Sequence, residues 1–189
     1  MENYASPTML FIADRSISST MAHQFLITHC DNVLAIFYEF KDPYPVELDN
    51  WHGDWILSFK SDLPLRKPVL EHANKGSINF HPAPPRYRGV GGYAWALLNK
   101  DPKYGVTCHY MVERLDYGPI IDARDFTILP RDNVASLKDK AGAYSLTQFH
   151  DVVSCILLRQ PLPESDQRWS ERLYTYCDLQ TLQSEQLST

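Results

Sequence analysis

Residues 8–40 read TMLFIADRSISSTMAHQFLITHCDNVLAIFYEF. The first part, TMLFIAD (8–14), is a short apolar run closed by a turn former, the pattern of a buried strand. RSISSTMAHQFLITHC (15–30) follows, with Ile17, Met21 and Phe25 four apart, as in the apolar stripe of an amphipathic helix. NVLAIFYEF (32–40) is again rich in β-formers. A strand, a helix and a strand in direct succession are the start of an α/β layer structure with a largely parallel sheet.

The same alternation continues. A polar, proline-bearing stretch (41–53) leads to DWILSF (54–59), a third strand. PLRKPVLEHANKG (64–76) predicts a short helix capped at its end by Gly76, and SINFHP (77–82) a fourth strand. YAWALLN (93–99) suits a helix with Trp95 and Leu98 inward. VTCHYMV (106–112) and IIDARDFTI (120–128) read as strands, and the short link ERLDYGP between them favours an antiparallel pair. Asp132 is a candidate N-cap for a long helix from Asn133 to about Gln160, with Val134, Leu137, Phe149, Val153 and Ile156 as its apolar positions. QPLPES then breaks the pattern. The expectation is a single α/β domain, a mostly parallel central sheet flanked by helices over 1–165, followed by a polar C-terminal tail, 166–189.

Bulk properties narrow the function classes. The chain has 189 residues, 44% hydrophobic and 22% charged, with a net charge of −5. That suits one soluble globular domain and offers no basic stripe for nucleic acid. Cys30, Cys108, Cys155 and Cys177 are far apart and form no C-x-x-C pair, which argues against a zinc knuckle or disulfide framework and for thiols in a reduced compartment. The N-terminus lacks the pattern of a secretory signal, and no apolar run reaches the ~18 residues of a membrane span. A cytoplasmic protein is expected.

Chemistry concentrates in two places. In INFHPAPPRYRG (78–89), Asn79 and His81 stand two apart at the end of an apolar run, just before a proline-rich turn. Period-two alternation puts both side chains on one side of a strand. In open α/β sheets ligands bind beyond the carboxyl ends of strands, where such residues would lie. A lone histidine there is more often satisfied by a backbone carbonyl than used in catalysis. In GVTCHYMVERLDYGPII (105–121), Asp116 sits in the turn between two strands, one helix and one strand after His81. An amide, an imidazole and a carboxylate together suit acyl transfer: the carboxylate orients the imidazole, and the amide stabilises an oxyanion.

The combined pattern N-F-H-P-x-x-P-x-Y-R-G, G-V-T-x-H-x-M and L-D-x-G-P-I-I resembles the tetrahydrofolate-dependent formyltransferases, closely from Asp54 to Ile128 and in outline before that. The resemblance implies a Rossmann-like formyltransferase fold and an enzyme that moves a formyl group from 10-formyltetrahydrofolate to an amine, without a metal. It assigns Asn79, His81 and Asp116 as the catalytic trio. It also implies a folate groove at Asp62, Leu63 and Leu65 after the third strand and at Glu113 and Leu115 before Asp116. One departure is visible: the common His-Pro-Ser-Leu-Leu-Pro is here His81-Pro82-Ala83-Pro84-Pro85, one residue shorter.

Within that family, three acceptor classes differ in sequence. Glycinamide ribonucleotide enzymes hold a phosphate with a glycine-rich loop after the first strand, whereas ADRSISST (13–20) contains no glycine. Methionyl-tRNA enzymes carry a further C-terminal domain, and the residues after Pro163 are few and not basic. The stretch HPAPPRYRGVGGYAWAL looks most like the enzymes that formylate nucleotide-linked amino sugars for surface polysaccharides. Arg86 and Arg88 are then candidates to meet a diphosphate, and a homodimer is left open. Peptide-synthetase-type or glycinamide ribonucleotide-type formyl transfer, hydrolysis of formyl-folate, and a non-catalytic folate-binding relative are the alternatives.

Overall fold

In the computed structural model, which describes residues 6–187, the predicted alternation becomes one six-stranded sheet. Its strands are β1 (Thr8–Ala13), β2 (Asn32–Phe37), β3 (Gly53–Phe59), β4 (Ala73–His81), β6 (Lys103–Tyr110) and β7 (Ile120–Thr127), in the order β2-β1-β3-β4-β6-β7. A two-stranded sheet pairs β5 (Arg88–Gly89) with β8 (Leu173–Tyr174). The helices are α1 (Ile17–His29), α2 (Lys67–Leu70), α3 (Gly92–Leu98), α4 (Val134–Leu157) and α5 (Tyr176–Leu187).

From β2 to β4 every pairing is parallel; β4 with β6 and β6 with β7 are antiparallel. The chain passes from β1 to β2 on one side and then to β3 on the other. This reversal opens a crevice at the carboxyl ends of β1 and β3.

Fully buried strand residues set the core. Phe11, Phe59 and Phe80 from β1, β3 and β4 surround Phe149 of α4, with ring centroids 5.8, 5.3 and 4.9 Å from it. Small residues line the buried side of α4, Ala141 and Ser145 among them, and Gly142 lies against Ser18 of α1. Its N-terminus is closed by a reciprocal cap: Asn133 accepts from the Ser136 N–H, and the Asn133 N–H donates to the Ser136 hydroxyl. Asp132, expected as the cap, instead accepts from the Leu129 N–H and the Ser136 hydroxyl and pairs with Lys140. Leu137, Phe149, Val153 and Ile156 are buried as expected, whereas Val134 is exposed.

Three local expectations are corrected. In α1 the apolar stripe is only partly realised: Phe25 packs against the core, but Ile17 and Met21 are 82% and 52% exposed, and Ser19, Ala22 and Leu26 are buried. Ser19 can turn inward because its hydroxyl is satisfied by Asp14, so a polar residue occupies a position that periodicity reserves for an apolar one. The helix before β4 stops at Leu70, and Gly76 lies inside β4 at a register shift against β3. A Cβ on Gly76 would come within 3.1 Å of the Trp55 ring, so tight packing explains the glycine better than a helix cap does. In α3, Ala96 is buried, Trp95 only partly so, and Leu98 is exposed. Cys30 and Cys108 are buried, Cys155 is half-buried, and Cys177 is exposed; all four are free thiols.

Phe149 joins three strands to one helix, so its removal leaves a void the sheet cannot collapse into. Phe149→Ala is expected to cost about 3–5 kcal/mol of stability, measured as a shift in the urea unfolding midpoint.

Candidate active site

At the carboxyl end of β4 the parallel half of the sheet meets the antiparallel half. β4 runs against β6 with Asn79 opposite His109 and His81 opposite Thr107. On β6's other side the register slips between Cys108 and His109, leaving Ile121 of β7 without a partner. Such a bulge bends the strand and re-aims the side chains beside it. The turn after β6 then brings Asp116 back over the end of β4.

Asn79, His81 and Asp116 are thus neighbours. The Asn79 amide donates to Asp116 Oδ1 at 3.3 Å, and His81 Nδ1 lies 3.5 Å from Asp116 Oδ2. Sequence reasoning did not single out a fourth member, His109, whose Nε2 is 3.5 Å from Asp116 Oδ1 and 3.2 Å from the Asn79 amide nitrogen. The histidine in G-V-T-x-H-x-M was visible, but only the β4–β6 register shows that it stands abreast of Asn79.

Acceptor chemistry assigns the protons. The Tyr110 carbonyl can only accept, so His109 Nδ1, 2.8 Å away, carries hydrogen. In the neutral ring Nε2 is then an acceptor, and it takes one hydrogen of the Asn79 amide while Asp116 takes the other. A protonated His109 would release Asn79 and face Asp116 instead. For His81, Nε2 donates to the Tyr87 carbonyl at 3.0 Å. The carbonyl partner usual for a strand-end histidine is therefore present, and it occupies one nitrogen only. The other faces a carboxylate, a contact that is attractive when both ring nitrogens are protonated.

Asp116 is 5% exposed, and its backbone adopts φ +44, in the left-handed region. Arg88 holds that turn, donating from Nε to the Asp116 carbonyl at 2.7 Å and from Nη2 to the Leu115 carbonyl at 2.8 Å. The Gly89 N–H donates to Asp116 Oδ2 at 2.9 Å. Burial alone would raise the Asp116 carboxyl. His81 and His109, when the nitrogens facing it carry a proton, and the Gly89 N–H outweigh it and hold the group well below the usual carboxylate range.

The remaining expected site residues are dispersed. Asp62 is exposed and Leu65 half-buried; Leu63 is buried in the core with Leu48 and Val69, leaving its backbone for any ligand contact. Glu113 and Leu115 are exposed beside the Asp116 turn. Arg86 is exposed, donates from Nε to Asp101 at 3.0 Å and is bonded to the Lys103 carbonyl. Arg88, the other arginine expected to meet a diphosphate, is 1% exposed, with every described donor bond going to a backbone carbonyl. Its role in this structure is to hold the chain around Asp116.

A second polar cluster fills the β1–β3 crevice. Lys60 Nζ reaches Ser16 and Ser18 hydroxyls at 2.9 and 3.1 Å and Asp14 at 3.3 Å. Asp14 also accepts from the Ser16 N–H at 3.1 Å, so a carboxylate of the chain itself sits at the start of α1. Among the described residues no three His, Cys, Asp or Glu side chains are placed to hold a metal ion.

With this geometry in view, comparison with known proteins is decisive for the family. Residues 46–152 match the family profile described as formyl transferase. The chain belongs to the formyl transferase family. It is 37% identical over 102 residues to the methionyl-tRNA formyltransferase of Syntrophus aciditrophicus, covering 53% of this chain and 33% of that protein. It is 32% identical over 120 residues to the GDP-perosamine N-formyltransferase of Brucella melitensis, covering 62% and 43%. The chain thus spans less than half the length of these curated relatives. Among solved structures, an N-formyltransferase from Helicobacter canadensis in complex with folinic acid and dTDP-3-aminofucose superposes with TM-score 0.73 at 19% identity, over 90% of this chain and 72% of that one. The formyltransferase PseJ from Anoxybacillus kamchatkensis gives 0.69 at 19% identity, over 92% and 88%. At that identity the likeness is one of fold.

The buried carboxylate makes a prediction about pH. Its folded pKa is depressed, so its stabilising contribution is present above the unfolded value of 3.8 and is lost as pH falls below it. Relative to Asp116→Asn, the wild type should lose stability as pH falls below about 4, read from urea midpoints at stepped pH. A difference that is flat through the acid range would contradict the ionic role of Asp116.

Proposed function

We propose that this chain transfers a formyl group from 10-formyltetrahydrofolate to the amine of a nucleotide-linked amino sugar. The convergence of Asn79, His81, His109 and Asp116 at one sheet end, inside the family-matched segment, carries the reading.

Support for a folate donor comes from neighbours of the same fold described with folinic acid, 5-N-formyl-THF or tetrahydrofolate. Asp62, Leu63 and Leu65 on one side and Glu113 and Leu115 on the other are our candidates for its groove. Support for an amino-sugar acceptor comes from the GDP-perosamine relative and from neighbours crystallised with dTDP- or UDP-linked sugars. The crevice adds a physical argument. Where a phosphate would meet the N-terminus of α1, Asp14 already supplies the negative charge and Lys60 is committed to it. This disfavours a phosphate held after β1, as in glycinamide ribonucleotide enzymes. Arg86 remains the candidate for the acceptor's diphosphate. Among the described residues no helix is long and apolar enough to cross a membrane. We place the reaction in the cytoplasm, with no nucleic-acid partner and with dimerisation open.

The geometry supports the following chemistry. A neutral amine attacks the formyl carbon, a C–N bond forms, and the carbonyl oxygen becomes an oxyanion. Asn79 is the donor best placed to meet it: its bond to neutral His109 is a neutral one, easier to surrender than the charge-assisted bond to Asp116. His109 takes up the amine proton, which turns its Nε2 from acceptor to donor and frees that Asn79 hydrogen for the oxyanion. His81 stabilises the same charge as a cation kept in place by Asp116. Collapse breaks the bond to the folate nitrogen, and the proton passes to that nitrogen as it leaves. The scheme uses no metal.

Titration with a non-hydrolysable folate analogue should show saturable binding without added metal. A screen of nucleotide-linked amino sugars, glycinamide ribonucleotide and aminoacyl carriers should yield formylated product with the first class. His81→Ala and Asp116→Asn are expected to lower turnover by about 10²–10³ with folate affinity retained, and Asn79→Ala in the same direction. No folate binding by folded protein, or wild-type turnover in Asp116→Asn, would overturn the assignment. Formyl-folate loss without any amine would favour the hydrolase instead.

A further inference from the structure

We infer that Trp169, in the segment expected to be a plain tail, is a positioning residue for the Asp116–His81–His109 cluster. The inference rests on the formyl-transfer reading for its kinetic consequences, though not for its geometry.

One ring lies against both imidazoles. The Trp169 indole is 4.9 Å from His109 with the planes 84° apart, and 6.0 Å from His81 at 62°. Its N–H donates to the Gly118 carbonyl at 2.8 Å, two residues beyond Asp116. Gly118 packs directly on the Tyr110 backbone, since a Cβ there would lie 1.8 Å from the Tyr110 carbonyl oxygen. The indole therefore clamps the turn that holds Asp116 in its left-handed conformation. It also covers the histidines from one side, and both are nearly inaccessible to water. Excluding water lowers the local dielectric and strengthens the attraction between Asp116 and the imidazoles.

The segment around Trp169 is anchored by the residues that hold Asp116. The Ser165 N–H donates to the Ile120 carbonyl at 3.2 Å, and the Ser170 N–H to the Pro85 carbonyl at 3.0 Å. Arg88 Nη1 donates to the Ser170 and Glu171 carbonyls at 3.1 and 3.3 Å, while the rest of the same guanidinium holds Leu115 and Asp116. β8 then pairs with Arg88–Gly89, whose Gly89 N–H is a hydrogen-bond donor to the Asp116 carboxylate. Gly89 has φ +84, and a Cβ there would lie 2.1 Å from the Tyr174 carbonyl oxygen, so only glycine permits this pairing. Arg88 binds the 165–174 segment and the Asp116 backbone at once, and Gly89 binds that segment and the Asp116 carboxylate. A shift of the segment is transmitted to Asp116 through them.

Trp169→Phe keeps the ring and removes the N–H; Trp169→Leu keeps apolar bulk and removes both. Trp55→Leu, at a half-buried tryptophan near the opposite end of β3, controls for general destabilisation. We expect Trp169→Leu to lower kcat about 10²-fold, with the KM for folate within about twofold of wild type. Trp169→Phe should recover most of that, ending within about tenfold of wild type, the scale of one hydrogen bond. Faster hydrogen exchange at the Gly89 N–H in Trp169→Leu, but not in Trp55→Leu, should accompany the loss. Wild-type kcat in folded Trp169→Leu, or a kcat loss equalled by Trp55→Leu, would overturn the inference. If the wild type formylates no amine, the proposed function fails, and the exchange measurement decides this inference alone: unchanged exchange at the Gly89 N–H refutes it, and faster exchange upholds the positioning of Asp116.

Discussion

The carboxylate of Asp116 is taken out of water, and its surroundings are arranged around that cost. An isolated buried charge would neutralise itself or unfold its neighbourhood. Here Oδ1 accepts from Asn79, Oδ2 accepts from the Gly89 N–H, and two imidazoles stand at 3.5 Å. The backbone bearing it is strained and is held by Arg88, itself a buried cation beside the buried anion. A carboxylate so held makes a fixed electrostatic reference for the imidazoles, which is the preorganisation that acyl transfer exploits.

The sheet explains why these groups meet at all. Parallel strands β1 to β4 bring their carboxyl ends to one edge, and the antiparallel pairing of β4 with β6 sets His109 abreast of Asn79 there. The bulge at Ile121 takes up the register shift between β6 and β7 beside His109. The neighbouring β1–β3 crevice is of opposite character. Its lysine, aspartate and serines satisfy one another, so charge there is already balanced within the protein.

Much of this was legible in the chain. Strand–helix alternation, the short link before Ile120, and the Asn79, His81 and Asp116 positions are all local patterns, and each is realised as an element or a neighbour in the fold. The errors are also local in origin. Ile17 and Met21 made a convincing stripe, but a hydroxyl satisfied by Asp14 let Ser19 face inward instead. Gly76 looked like a helix end because the Trp55 ring that requires it is distant in sequence.

Strand alternation and strand-end placement follow from the periodicity of neighbouring residues, so the class of fold and the residue types that carry chemistry are readable from the chain. Which of those residues form one site is set by tertiary contacts. His109 joins through a cross-strand register, Arg88 turns from a surface cation into a buried tether, and Trp169 arrives from a segment whose composition reads as a tail. Each of these depends on contacts between residues far apart in the chain, set by packing and by the need to satisfy a buried charge. No local pattern encodes them.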